Sequence, residues 1–238
     1  MLRFLFAFVM LAVALLIGSD SGVGQGTATG AATGGVVEGT ITYTYDTKRF
    51  WRYGRYYVKG RKSGPLAEAV IALDGSKLRK LPAPKKPATQ VMDQRDFRFV
   101  PETLAVRAGD GVKFTNADTT IHNVNSRLGL HPFDVSLANG DKAVETFPKA
   151  GGTRKPVSIG CKFHGGMHAW IYVFDHPYYA VTKPTGTFRF ENVPPGRYRL
   201  EMVHPAGSLK WTRTITVSKG KTTKINIGVS ADDKVIGR

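Results

Sequence analysis

The 238-residue chain carries 34 Lys and Arg against 18 Asp and Glu, a net charge of +16, and one cysteine. A single cysteine excludes an intramolecular disulfide framework, so stability has to come from packing. The length allows one or two domains with real cores, and a strongly basic exported chain without a recognisable nucleic-acid motif is not read as a nucleic-acid binder.

Met1, Leu2 and Arg3 supply a positive start, and residues 4–17 form an uncharged apolar run that breaks at Gly18. The run is short for a bilayer span and fits a secretory signal peptide over residues 1–22, with an uncleaved anchor as the alternative. The expected location is therefore outside the cytoplasm: periplasm, cell envelope or medium, with no transmembrane span in the mature chain. Residues 23–35 are Gly-, Ala- and Thr-rich and read as a flexible linker.

From residue 36 the pattern is β throughout. Residues 36–45 alternate small or apolar with polar side chains, and 69–73 form a buried-strand run ending at Asp74 and Gly75. Between them, residues 49–62 are rich in aromatic and basic side chains, including Arg49, Arg52 and Arg55. Residues 77–86, rich in Lys, Arg and Pro, read as a stiff extended linker. Short strands follow at 97–100, 104–106, 111–114, 156–159, 169–174, 187–190, 198–203, 210–217 and 222–229, with Gly and Pro between them. No helical period is sustained, and many short strands mean a sandwich or barrel.

Charge divides the same chain. Residues 91–177 carry a balance of +1, residues 36–88 and their link to 90 carry +8, and residues 178–238 carry +7. This supports a neutral unit at 91–177 flanked by two basic segments, 36–88 and 178–230, with a tail at 231–238.

The chemistry concentrates in the neutral unit. Cys161, His164 and Met167 form a C-x2-H-x2-M run, and His122 lies upstream, followed by Asn123. One thiolate, two imidazoles and one thioether are the donor set of a trigonal copper site with a long axial Met. Thiolate and thioether suit Cu(I), while imidazole also suits Cu(II), so a site tolerating both states serves one-electron transfer. Placing three of the donors on one loop between strand ends brings them close together, and Gly165 and Gly166 are expected to let that loop turn tightly.

The C-x2-H-x2-M loop with an upstream His-Asn pair resembles the amicyanin-like, plastocyanin-type cupredoxins, including the "methylamine utilization" type of copper protein. The stretches Asp96 to Pro101, Val106 to Asp110 and Val112 to Asn116 are similar to the usual opening of that family, and Phe133, Asp134 and Phe147 fit the stretch before the Cys strand. The resemblance implies one mononuclear copper, with His122, Cys161 and His164 equatorial and Met167 axial. It also implies that Asn123 bridges the two ligand loops. Lys162 stands where a hydroxyl residue often supports the thiolate. The flanks resemble something else. Residues 39–42 and 64–73 are similar to the first half of a carboxypeptidase regulatory-like, transthyretin-like sandwich, and residues 185–200, with Pro194, Pro195, Gly196 and Tyr198, to its second half. The fold class expected is all-β: a cupredoxin Greek-key sandwich or barrel inserted in, or joined to, a second transthyretin-like sandwich.

The function expected is an exported blue-copper electron carrier without catalysis of its own. Its partner would be a redox protein, acidic enough to be drawn to the basic flanks, or the anionic envelope itself. Docking is expected near the edge of His164, on Leu128, Leu130 and Phe133, helped by Arg49, Arg52 and Arg55. The alternative is an envelope binding or scaffolding protein with a secondary copper or zinc site, although Met is a poor zinc ligand.

Overall fold

The computed structural model describes residues 34–45, 63–82, 86–127 and 129–233. Three strands come first: β1 (Gly35–Thr44), β2 (Gly64–Pro65) and β3 (Val70–Asp74). Nine form a central unit: β4 (Thr89–Arg95), β5 (Arg98–Val100), β6 (Thr103–Arg107), β7 (Gly111–Asn116), β8 (His122–Ser126), β9 (Phe133–Leu137), β10 (Lys142–Thr146), β11 (Val157–Gly160) and β12 (His168–Phe174). Five close the chain: β13 (Tyr179–Val181), β14 (Thr187–Val193), β15 (Gly196–His204), β16 (Leu209–Val217) and β17 (Thr222–Ser230). The expected all-β class is what the structure shows; among the described residues two short 3-10 turns stand beside the strands.

The strands make four sheets. In the outer unit β14-β1-β17 forms one sheet, with β2 on β1, and β13-β3-β15-β16 forms the other. In the central unit β10-β7-β4-β5 faces β6-β12-β11-β8-β9. The outer sandwich thus takes strands from both ends of the described chain. Parallel pairing of β1 with β17 ties its N-terminal strand to its C-terminal one, and β3 pairs with both β13 and β15. The central sandwich is inserted between them.

Alternation along single strands explains how the layers stack. In β3, Ile71 and Leu73 enter the outer core, while Val70 and Ala72 face the other way. In β12, Ala169, Ile171 and Val173 enter the central core, while Tyr172 and Phe174 join Val70, Ala72, Ala105 and Val203 in a third cluster. Side chains alternate across a strand, so a strand covered on both faces reads as a continuous apolar run. That is why residues 69–73 look fully buried in the sequence.

Two local expectations change. Residues 77–86 are not simply extended: Leu78 to Lys80 make a 3-10 turn, and Leu78 is fully buried in the outer core. The prolines at 82, 84 and 87 all follow the turn, so their extended bias does not act on it. β1 also opens at Gly35, which pairs with Val193. Residues 23–33 of the expected linker, the signal segment and the aromatic-basic loop with Arg49, Arg52 and Arg55 lie outside the described residues.

His204, the last residue of β15, has no exposed surface, and its Nδ1 accepts the Gly207 N–H at 3.0 Å. Burial drops its pKa from 6.5 to about 4, with hydrogen bonds to backbone groups opposing the drop. A lowered folded-state value stabilises the fold above the unfolded pKa, and that stability is lost as pH falls through the folded value. The outer sandwich should therefore lose up to roughly 3 kcal/mol of stability on acidification across this window. Urea unfolding at several pH values checks this, and His204→Gln should flatten the acid limb. An equally steep limb in the variant would assign it to other groups.

Candidate metal centre

The site grows from the end of one sheet. β8 begins at His122 and β11 ends at Gly160, and the two run antiparallel, with Gly160 opposite Asn125. β11 also pairs with β12 up to Gly160 opposite His168, so residues 161–167 form the connection beyond that end. Cys161 and His164 on the connection therefore fall beside His122 at the start of β8. One donor atom from each of these three lies within 4.8 Å of the others. The His122 and His164 Nδ1 atoms are 3.0 Å apart, and Cys161 Sγ is 3.6 Å from His164 Nδ1. Met167 is 1% exposed and shares the central core with Cys161. One thiolate and two imidazoles converging on a point, with a buried thioether in the same core, fit a soft or borderline ion such as copper.

The connection closes by the Met167 N–H donating to the His164 carbonyl at 3.0 Å. Gly165 and Gly166 do not contribute the tight geometry expected of them. A Cβ at either would meet open space, and neither has a positive φ.

The surrounding hydrogen bonds orient the donors. Asp118 Oδ2 accepts from His122 Nε2 at 2.7 Å. An imidazole donating through Nε2 keeps its lone pair on Nδ1, the atom facing His164. Burial works to raise the Asp118 carboxyl, but hydrogen bonds from the Phe97 N–H, His122 and the Asp96 N–H outweigh it and hold the group below its ordinary range. The Asn123 N–H points at Cys161 Sγ at 3.3 Å. The Asn123 side chain donates to Asp134 Oδ1 at 2.7 Å and to the Val135 carbonyl at 2.9 Å. Its Oδ1 accepts from Asn125 Nδ2 at 2.6 Å and from the Lys162 N–H at 3.4 Å. It thus joins β8, β9 and the Cys161 connection. Lys162 directs its Nζ away from the thiolate to Asp134, at 3.1 Å.

Asp118, Asn125, Asp134 and Phe97 are the functional neighbours that sequence reasoning missed. For Asp118 the available signal was a carboxylate four residues before a candidate ligand. Asn125 lies two residues beyond Asn123 on the same strand, whereas Asp134 and Phe97 reach the site only across strands.

The expected docking residues do not gather at the site. Phe133 packs against Phe114, Phe147 and His131. It pairs with Ser126, whereas His122 pairs with Leu137, four residues along the ladder. At about 3.3 Å per residue this puts Phe133 some 13 Å from the ligand end. Leu130 is half-buried and lies against Gly151; Leu128 lies outside the described residues. The exposed apolar side chains beside the half-buried His164 are others. Phe97 is 52% exposed and Phe163 49%, and both rings contact His164; Ile121, 51% exposed, precedes His122.

Residues 168–230 match the family model of the carboxypeptidase regulatory-like domain. The match opens in β12 and covers β13 to β17, the C-terminal part of the outer sandwich. A search of curated proteins gives no match. Among solved structures, amicyanin from Paracoccus versutus is similar at 19% identity, covering 43% of this chain and 96% of that one, with a TM-score of 0.32. A purple cupredoxin from Nitrosopumilus maritimus is similar at 20% identity, covering 35% of this chain and 98% of that one, with a TM-score of 0.31. A copper-containing nitrite reductase from Thermus scotoductus is similar at 23% identity, covering 42% of this chain but only 26% of that one, with a TM-score of 0.34.

Removing the Asn123 side chain would leave Asn125 Nδ2 with its bond to the Gly160 carbonyl alone and take two donated bonds from β9. Because Asn123 is fully buried, Asn123→Ala should destabilise the central sandwich by about 2–3 kcal/mol. Asp134→Ala removes a half-exposed partner and should cost under about 1 kcal/mol by the same denaturant titration. Equal losses would contradict the network.

Proposed function

We propose that this chain is an exported mononuclear blue-copper protein that carries single electrons, with copper held by His122, Cys161, His164 and Met167. The observation that carries the reading is the convergence of one thiolate and two imidazoles at the loop end of a sandwich, with Met167 buried in the same core. Bound there, copper would supply a one-electron change between Cu(I) and Cu(II) in a donor set that suits both.

The protein's own residues do the rest. Asp118 fixes the tautomer of His122 and Asn123 holds the Cys161 connection against β8, so the donors keep one arrangement whichever oxidation state is bound. Cys161 and Met167 are buried and His122 has no exposed surface. His164 is the donor that reaches the surface, beside Phe97 and Phe163. A redox partner would dock there. The net surplus, concentrated in the flanking segments at +8 and +7, would draw in an acidic partner or an anionic envelope surface.

Copper loading should give an intense visible thiolate-to-Cu(II) absorption, lost in Cys161→Ser because a hydroxyl is a hard donor. Met167→Leu should retain the colour and raise the reduction potential, measured by redox titration. A colourless copper-loaded protein, or a Cys161→Ser spectrum identical to the parent's, would rule the reading out and favour a binding or scaffolding role with a zinc-type site.

Salt dependence tests the basic flanks. Surface charge acts over about 8 Å at physiological ionic strength. Electron transfer with an acidic partner should slow steeply between low and high salt, while the copper spectrum stays constant. A rate independent of salt would mean that the surplus only solvates the surface.

A further inference from the structure

The connection between β4 and β5 is two residues long, Asp96 and Phe97, between the paired Arg95 and Arg98. Both have positive φ, 54° and 57°. Two-residue hairpin turns with positive φ at both centres strongly favour glycine at the second, because a side chain there is strained. A phenylalanine in that place is a backbone outlier, and such outliers persist only where their surroundings over-determine them.

The surroundings are the candidate metal centre. Asp118 Oδ1 accepts the Asp96 N–H at 2.8 Å, and Asp118 Oδ2 accepts the Phe97 N–H at 3.0 Å. The same Oδ2 accepts from His122 Nε2 at 2.7 Å. One carboxylate therefore fixes both the turn and a ligand ring. The Phe97 ring stands edge-on to both imidazoles at 89°, with centroids 5.3 Å from His122 and 4.9 Å from His164. Yet the residue is 52% exposed, so core burial does not account for the strained conformation.

We propose that Phe97 is a shield, set by Asp118, that covers the imidazoles of His122 and His164 and limits the access of small copper-binding molecules to the site. This rests on the copper reading. His122 is covered by the fold itself, whereas His164 is half-buried and is reached from solvent past the Phe97 ring. Asp118 is a positioning residue here: it acts on access through the turn and on His122 directly.

The test uses the full-length copper-loaded protein, reduced, with an excess of a water-soluble Cu(I) chelator whose complex is coloured. Visible absorption of the oxidised protein is recorded in parallel. Phe97→Ala should keep the thiolate absorption and lose copper about tenfold faster, the factor that two aromatic edge contacts correspond to. Phe97→Leu should fall between Phe97→Ala and the parent. Phe97→Gly should lose copper as fast as Phe97→Ala while melting at a higher temperature, because glycine removes the backbone strain. A residue needed only to hold the turn would not combine greater stability with faster loss. In an Asp118→Ala background, adding Phe97→Ala should change the rate by less than about twofold, since the ring is no longer held in place. If Phe97→Ala and Phe97→Gly keep their colour and release copper at the parent's rate, the shield is wrong and the copper reading stands. If the parent itself shows no thiolate absorption with copper, both fall together.

Discussion

β12 buries both of its faces, and most of the molecule depends on that. Ala169, Ile171 and Val173 fill the central core, which also holds Cys161 and Met167. Tyr172 and Phe174, on the opposite face, meet Val70, Ala72 and Val203 of the outer sandwich. The strand begins at His168, directly after the connection that bears Cys161, His164 and Met167. The same seven residues thus close the candidate metal centre at one end and join it to the outer unit along their length.

Charge at the junction follows a different balance. Asp74 of β3 takes Arg79 at 2.9 Å and Arg154 of the central unit at 3.7 Å, and also pairs with Arg199. Glu201 takes Arg199 at 2.7 Å and the hydroxyl of Thr153. The arginines are 40–63% exposed, and ion pairs so open to water contribute under about 1 kcal/mol each. The apolar cluster between β3, β12 and β15 is therefore the main cohesion, and of these ion pairs those of Arg154 reach across from the central unit. The pairing also gathers Asp74 and Glu201, two of the outer unit's few acids, at the junction, leaving much of its basic surplus facing solvent.

At the centre, hydrogen bonds do what packing does elsewhere. His122, Asn123 and Asn125 are polar and buried, and a buried polar group without a partner costs more than most single contacts contribute. Each is satisfied: His122 by Asp118, Asn123 by Asp134 and Val135, and Asn125 by Asn123 and the Gly160 carbonyl.

Much of this was legible in one dimension. Apolar runs such as 69–73 and 169–174 marked strands because burial on two faces leaves no polar positions, and the C-x2-H-x2-M run marked its donors because few chemistries use a thiolate, an imidazole and a thioether so close together. Strands β4, β8, β9 and β10 were not read. β4 and β8 are largely polar, and β8 is buried by hydrogen bonding, not by hydrophobicity, so no alternation announces it; β9 does alternate, over only five residues. The apolar side chains expected beside His164 were misplaced for a related reason. Phe133 is apolar in sequence, but register sends it to the far end of β9, while Phe97, Ile121 and Phe163 come from three separate connections. The sequence by itself determined the all-β class, the donor residues and the split in charge, since these depend on composition and local spacing. Only the tertiary structure decided that Asp118 serves both His122 and the Phe97 turn, and that Asn123 joins three elements, because the contacts of Asp118 with the turn and of Asn123 with the Cys161 connection span 21 to 39 residues of chain and exist only once the strands have chosen their neighbours.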